Sequence, residues 1–140
     1  MSDGSSKATH PTAARGMQLY ATLVEGDDEA LGRLVTDDAQ IHWPGSGRSV
    51  LGGTHTGRQE VMAVIAKCKE VTEGTLQGEI LDVLADDTHV VIVNRVTGRR
   101  SDGRELDVIY AGCFVFDEKG KAVQLWWLPN DMQAEIDFLS

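Results

Sequence analysis

Only two cysteines and thirteen basic residues occur in this chain of 140 residues, and each scarcity removes a class of protein. Cys68 and Cys113 lie 45 residues apart and match no metal-ligand spacing. Cys68 falls in a helical pattern and Cys113 in a strand pattern, so both are expected as reduced, packed side chains. Thirteen Lys and Arg against 22 Asp and Glu leave a net charge of −9. That balance argues against nucleic acid or an anionic membrane as partner, because both need a basic face. No apolar run approaches the roughly 20 residues that span a bilayer. Residues 1–14 lack the apolar core of a signal peptide, so the expected location is the cytoplasm. No Gly-x-Gly-x-x-Gly follows a strand, and there is neither a phosphate loop nor a Gly-x-Ser-x-Gly elbow; Ser46 sits in an ordinary Pro-Gly-Ser-Gly turn. His42 and His55 stand 13 apart with no Cys or Glu ligand pattern beside them, so no metal is expected.

What remains is an ordinary globular composition, 41% apolar and 25% charged, in a chain long enough for one domain with a real core. Residues 1–11 are small and polar and read as a disordered tail, leaving 12–140 as the domain. From Thr12 to Glu25, Met17, Leu19, Tyr20, Leu23 and Val24 recur at helical spacing. Gly26 ends that helix, and Asp27-Asp28 opens a second through Val35. Thr36-Asp-Asp reads as a turn, and Ala39 to Trp43 as a short strand stopped by Pro44-Gly45. Residues 45–57 form a glycine-rich loop, five glycines in thirteen residues. A third helix then runs to about Val71, with Val61, Met62, Val64, Ile65 and Cys68 in one stripe.

After Gly74 the pattern turns to strands at Thr75–Ala85, His89–Gly98, Arg104–Phe116 and Ala122–Leu128, with a last short helix over Asn130–Leu139. Three helices followed by an antiparallel meander give an α+β fold with helices covering one sheet face. If Ser101-Asp102-Gly103 is a three-residue hairpin loop, Arg100 pairs with Arg104 and Asn94 with Tyr110. Leu106, Val108, Tyr110, Gly112, Phe114 and Phe116 then share one face with Val90, Ile92, Asn94 and Val96. The opposite face, with Ile109, Ala111, Cys113 and Val115, is also largely apolar. A sheet with two apolar faces is covered twice, so a homodimer through the outer face is expected.

Asn94 and Tyr110 are polar residues in an apolar wall, either satisfied core side chains or ligand contacts. Gly112 leaves room above the sheet, as a cavity would need. Alternation lets one of His42 and Trp43 face the cavity, and Trp43 shares the face of Ile41. His55, in the glycine-rich loop, is either an exposed histidine or a group on a lid. The run Ala122-Val-Gln-Leu-Trp-Trp-Leu-Pro-Asn-Asp131 ends a strand with two tryptophans and delivers a carboxylate. Asp131 is either the cap of the last helix or a proton-handling group beside an aromatic wall.

Several of these phrases resemble the SnoaL-like and ketosteroid-isomerase-like superfamily, of nuclear transport factor two-like fold. They are Leu23-Val-Glu-Gly-Asp27, Leu34-Val-Thr-Asp-Asp-Ala-Gln-Ile-His-Trp-Pro-Gly45, Gly53-Thr-His-Thr-Gly57, Gly103-Arg-Glu-Leu-Asp107 and Trp127-x3-Asp131. The resemblance covers about residues 15 to 139. It implies a cone-shaped α+β barrel, a deep hydrophobic pocket between helices and curved sheet, and a dimer through the sheet. Three departures bear on chemistry: the steroid-isomerase base position holds Trp43, its oxyanion acid falls near Gly112, and its helix-one tyrosine falls near Leu19, one step from Tyr20. A limonene epoxide hydrolase would need Arg95 and Asp107 inside the pocket, and the expected register turns both outward. In polyketide cyclases of the SnoaL type an aspartate after the final strand is the general acid/base, and Asp131 matches it. The resemblance therefore implies a cofactor-independent cyclase or isomerase acting on a polyketide-like or terpenoid molecule. Asp131, His55 and Tyr110 are its catalytic candidates, and Tyr20, Trp43, Asn94, Phe114 and Trp127 its substrate contacts. A non-catalytic binding or dimerisation domain is the alternative.

Overall fold

The computed structural model describes residues 10–140. Residues 1–9 of the expected tail lie outside the described residues, but His10 and Pro11 already belong to a helix start. Helix α1 (Pro11–Glu25) begins with Pro11 in its first turn, where a missing N–H costs nothing, and His10 Nδ1 accepts the Thr12 N–H at 3.1 Å. Its buried face of Ala13, Gly16, Leu19, Tyr20 and Leu23 recurs at helical spacing. Gly26 ends it in the left-handed region at φ 72°, returning its N–H to the Thr22 carbonyl. Asp27 then caps α2 (Asp28–Leu34), accepting the Ala30 N–H at 3.1 Å.

The chain passes from α2 straight into β1 (Val35–Trp43). The expected turn at Thr36-Asp37-Asp38 is thus extended strand, with the carboxylates exposed and Arg58 paired to Asp37 at 2.6 Å. The glycine-rich stretch also contains structure: β2 (Gly53–Thr56) pairs antiparallel with the end of β1, Ile41 opposite His55. Gly52 is needed where the loop closes on itself, since a Cβ there would lie 2.1 Å from the Gly45 carbonyl oxygen. Helix α3 (Arg58–Val71) buries Val61, Val64, Ile65 and Cys68. Four strands follow: β3 (Gln77–Ala85), β4 (His89–Arg99), β5 (Glu105–Phe116) and β6 (Ala122–Pro129), before α4 (Met132–Leu139).

The six strands form one open sheet in the order β2-β1-β6-β5-β4-β3, antiparallel except for the parallel pair β1–β6. The hairpin register is the expected one, with Asn94 opposite Tyr110 and Arg99 opposite Glu105. The inner face of β5 is buried at Leu106, Val108, Tyr110, Gly112, Phe114 and Phe116, and the helices lie on it. Gly112 corrects one expectation. The space above it is filled, because a Cβ there would sit 3.0 Å from the Trp127 ring and 3.2 Å from the Phe114 ring. Glycine here admits two aromatic rings to the core rather than opening a void.

Helix α1 packs on β4 through Gly16, where an added Cβ would come within 2.5 Å of Val90 Cγ1. Alanine would gain up to about 1 kcal/mol of helix propensity. Overpacking against a stiff β-branched side chain costs about 1–3 kcal/mol. Gly16→Ala should therefore lower stability by roughly 1 kcal/mol in urea unfolding; a stabilised variant would show that α1 sits further from the sheet.

Candidate functional site

The inner sheet face and the helices enclose a pocket whose walls come from β1, β5, β6, α1, α3 and α4. Trp43, Tyr110, Phe114 and Trp127 line it, as does Cys68. Its free space is on the scale of a water or two rather than of a multi-ring ligand, so a ligand enters only if a wall moves. Trp127 stacks on Tyr110 with ring centroids 4.8 Å apart, and the Tyr20 ring lies 6.1 Å from Trp127.

One carboxyl group lines this pocket, and it belongs to Glu135, on α4, at 1% exposure. Its Oε1 accepts the Tyr110 hydroxyl at 2.5 Å and its Oε2 accepts the Trp43 indole N–H at 3.1 Å. A carboxylate out of water is costly unless paired, and both partners here are neutral. Burial raises the Glu135 carboxyl from 4.5 to about 7, although the bonds from Tyr110 and Trp43 favour the charged form. The Tyr110 hydroxyl is driven up by burial first and by Glu135 next. The Cys68 thiol is pushed up to about 12 by burial and then by Glu135, so it stays protonated and is no ready nucleophile. The group in this pocket that changes charge near neutral pH is Glu135. That is the property a proton-transfer residue requires.

The residues singled out from sequence divide between pocket and elsewhere. Trp43, Tyr110, Phe114 and Trp127 line the pocket. Tyr20 is buried but turns its hydroxyl toward Gly78 without a partner; a Cβ on Gly78 would lie 2.1 Å from that oxygen. Burial pushes its hydroxyl up to about 12. Asn94, fully buried, donates through Nδ2 to the Ile92 and Tyr110 carbonyls at 3.0 and 3.2 Å and so ties down the strand under Tyr110. His55 sits on β2, its Nε2 2.7 Å from the Leu51 carbonyl, beside a shallow depression with Val50 and Glu60 rather than in the pocket. Asp131 is exposed and caps α4, accepting the Ala134 N–H at 3.0 Å. Arg95 and Asp107 are paired at 2.6 Å on the exposed outer face. Among the described residues, no group of three or more His, Cys, Asp or Glu side chains is placed to hold a metal.

Glu135 was not singled out from sequence. The available signal is a lone acid at i, i+3 and i+4 spacing with Phe138 and Leu139, on the apolar side of the last helix.

An open sheet of this strand order, with helices over one face and an apolar pocket between them, defines an α+β pocket fold of the nuclear transport factor two-like class. Comparison with known proteins is specific. The SnoaL-like domain model matches residues 17–125. A protein from a soil-derived mobile gene cassette is 30% identical over 92% of this chain and 96% of its own, with a TM-score of 0.81. The chain belongs to the SnoaL-like domain family. Two more distant structures share the fold. TerC, co-crystallised with polyporic acid, is 18% identical over 93% of this chain and 98% of its own, TM-score 0.78. A protein from a Jannaschia species, assigned as a SnoaL-like polyketide cyclase, is 16% identical over 94% and 95%, TM-score 0.73. No curated protein matches the chain. Among the described residues, no helix is long and apolar enough to cross a membrane.

The raised Glu135 makes stability depend on pH. Between about 4.5 and 7 the unfolded carboxyl has lost its proton while the folded one keeps it, so stability falls as pH rises through that window. The full effect is on the order of 3 kcal/mol, present above pH 7 and absent below 4.5. Glu135→Gln should flatten the slope across this window in denaturant unfolding at several pH values. An unchanged slope would show that Glu135 is not held protonated.

Proposed function

We propose that this chain is a cofactor-independent acid/base enzyme of the cyclase or isomerase type, acting on a small, largely apolar molecule with Glu135 as the proton-transfer group. The observation that carries the reading is a buried carboxyl at the wall of an aromatic pocket, poised near neutral pH and hydrogen-bonded by Tyr110 and Trp43. SnoaL-like membership is the second support. Glu135 takes here the role that the family pattern suggests for Asp131, whose side chain is committed to capping α4 in solvent.

In the ionised form, Glu135 removes a proton from a carbon flanked by carbonyls. The C–H electrons move onto a carbonyl oxygen as an enolate, which the flanking carbonyl delocalises, so the step needs no cofactor. Tyr110, a neutral hydroxyl already aimed at Glu135, can turn its hydrogen toward that oxygen as the carboxylate becomes a carboxylic acid. Attack of the enolate carbon on a second carbonyl closes a ring and leaves an alkoxide, which takes back the proton from Glu135. Without a second carbonyl in reach, return of the proton to a different atom is an isomerisation. A polyketide-like or terpenoid substrate fits the aromatic walls formed by Trp43, Phe114 and Trp127.

The outer sheet face suits a homodimer. Val91, Val93, Ala111, Cys113 and Trp126 are half-buried there, and Leu84 and Leu128 are exposed. Such a continuous apolar face is the kind that a two-fold interface covers. Val93→Asp places a charge at its centre and should convert a dimeric sedimentation profile to a monomeric one with the fold retained by circular dichroism; a wild-type chain that sediments as a monomer removes the dimer.

Proton exchange tests the chemistry before a substrate is known. In D2O, the protein should accelerate deuterium incorporation at the activated carbon of a panel of apolar 1,3-diketones, followed by NMR. Glu135→Gln should lose about 100-fold or more, the scale of a general base. Asp131→Asn, which keeps a helix cap, should stay within a few-fold. Full activity in Glu135→Gln, or loss confined to Asp131→Asn, would move the role to Asp131.

A further inference from the structure

Helix α4, a short element, supplies Glu135, Phe138 and Leu139 to the pocket wall, and nearer its start Glu135 bonds Tyr110 and Trp43 while Gln133 accepts from Arg48 at 2.7 Å. A second set of polar contacts grips its C-terminal end. Arg100 Nη1 donates to the Phe138 carbonyl at 2.8 Å and to the Ser140 carbonyl at 3.1 Å. Arg104 Nη1 donates to the Asp137 carbonyl at 3.0 Å and also to the Ser140 carbonyl. These are carbonyls that a helix end leaves without partners, at the negative end of its dipole. Both arginines flank the β4–β5 hairpin, and the hairpin is itself braced. Glu73 accepts the Ser101 N–H at 2.9 Å and the Ser101 hydroxyl at 3.0 Å, tying the tip to the end of α3. Arg100 Nε is buried without an acceptor, so the fixation of this guanidinium rests on the helix carbonyls.

We infer that Arg100 and Arg104 form a latch that holds α4 over the pocket, positioning Glu135 against Tyr110 and Trp43, and that ligand entry requires this latch to open. The inference rests on the reading of Glu135 as the working group of the site. Three observations point the same way. The pocket has almost no free space with α4 in place, so some wall must move. Asn130, directly after Pro129, is pinned to Ile109 through its N–H and its side chain at 2.8 and 3.2 Å, so it is a fixed pivot, with the exposed Asp131 beside it, about which the far end of α4 can swing. Glu135 also stands within one helical turn of Asp137 and Phe138, whose carbonyls the arginines grip, so the latch sets the depth of the carboxyl.

Cys68 lines the same pocket and interacts electrostatically with Glu135, so its thiol reports whether α4 is open. Cys113, half-buried on the outer face, is first replaced by Ser so that Cys68 is the one thiol left. In that background, labelling of Cys68 by a small disulfide reagent at pH 8.5 should be slow. Arg100→Gln with Arg104→Gln should speed it at least tenfold, with little change in the midpoint of global unfolding. Arg100→Lys with Arg104→Lys should restore much of the protection. Gly16→Ala, which weakens the fold on the opposite side, controls for labelling through global unfolding. The carboxyl stretch of Glu135, followed by infrared difference spectra against Glu135→Gln, should titrate at lower pH in the Gln pair, because a released carboxyl is better solvated. A labelling rate unchanged in the Gln pair, or raised no more than in Gly16→Ala, overturns the latch. Because neither readout uses turnover, the latch can fail while the acid/base role of Glu135 stands, and the reverse.

Discussion

One buried carboxyl organises this molecule. Among the described residues Glu135 is the single charged side chain that is fully buried, and it is satisfied by two donors from different parts of the sheet. Tyr110 comes from the middle of β5 and Trp43 from the last residue of β1. Both must be in place for the carboxyl to be tolerated, and α4 must be at one depth for the carboxyl to reach them. An apolar residue at 135 could slide along an apolar wall; a carboxyl with two fixed partners cannot. The same bonds that specify where the last helix sits leave the group poised between its charged and neutral forms. Structure and chemistry are thus set by one balance, desolvation against two hydrogen bonds, and desolvation prevails.

The two adjacent aromatic pairs show how one backbone builds both surfaces of the sheet. In the parallel register of β1 and β6, His42 stands opposite Trp126. The two rings stack outside at 4.8 Å, while their neighbours Trp43 and Trp127 turn inward to the pocket. His42 is held on that outer face by Thr54 at 3.0 Å and Gln124 at 2.6 Å, and Gln124 in turn donates to Gln40. The polar row follows the strand register, and the register decides which tryptophan is buried. A shift of one residue would exchange the two sets.

Much of this was legible in the sequence because it depends on local rules. A three-residue turn at Ser101-Asp102-Gly103 fixes the β4–β5 register, and that places Tyr110 beside Asn94 and sends Arg95 and Asp107 outward. Alternation from Ile41 places Trp43 inside. The misses are of a different kind. Thr36-Asp37-Asp38 has turn composition but becomes strand, because the chain on either side of it, at Val35 and from Gln40 on, pairs with β6 and Arg58 anchors Asp37, all from distant segments. Strand β2 is four residues of Gly, Thr and His, too short and too polar for a pattern, and exists because an edge of β1 awaits it. Gly112 signals room, but only the packed structure shows that Trp127 and Phe114 take that room.

The distinction between Asp131 and Glu135 is the sharpest case. Both are carboxyls on the same short element, one helical turn apart, and residue type alone does not separate them. Their positions do. A residue at the N-cap is held in extended backbone and turns its oxygen back to the first free N–H groups, which keeps it at the solvent end of the helix. A residue one turn on, sharing a face with Phe138 and Leu139, is carried under the helix into the pocket whatever its polarity. The family match ends at residue 125, before either carboxyl, so it does not choose between them. Their environments differ: the exposed group is committed to capping, and the buried one meets Tyr110 and Trp43 at the pocket wall. A carboxyl whose surroundings oppose its charge is able to take up and release a proton near neutral pH, and that is the ground on which Glu135 is proposed for the role.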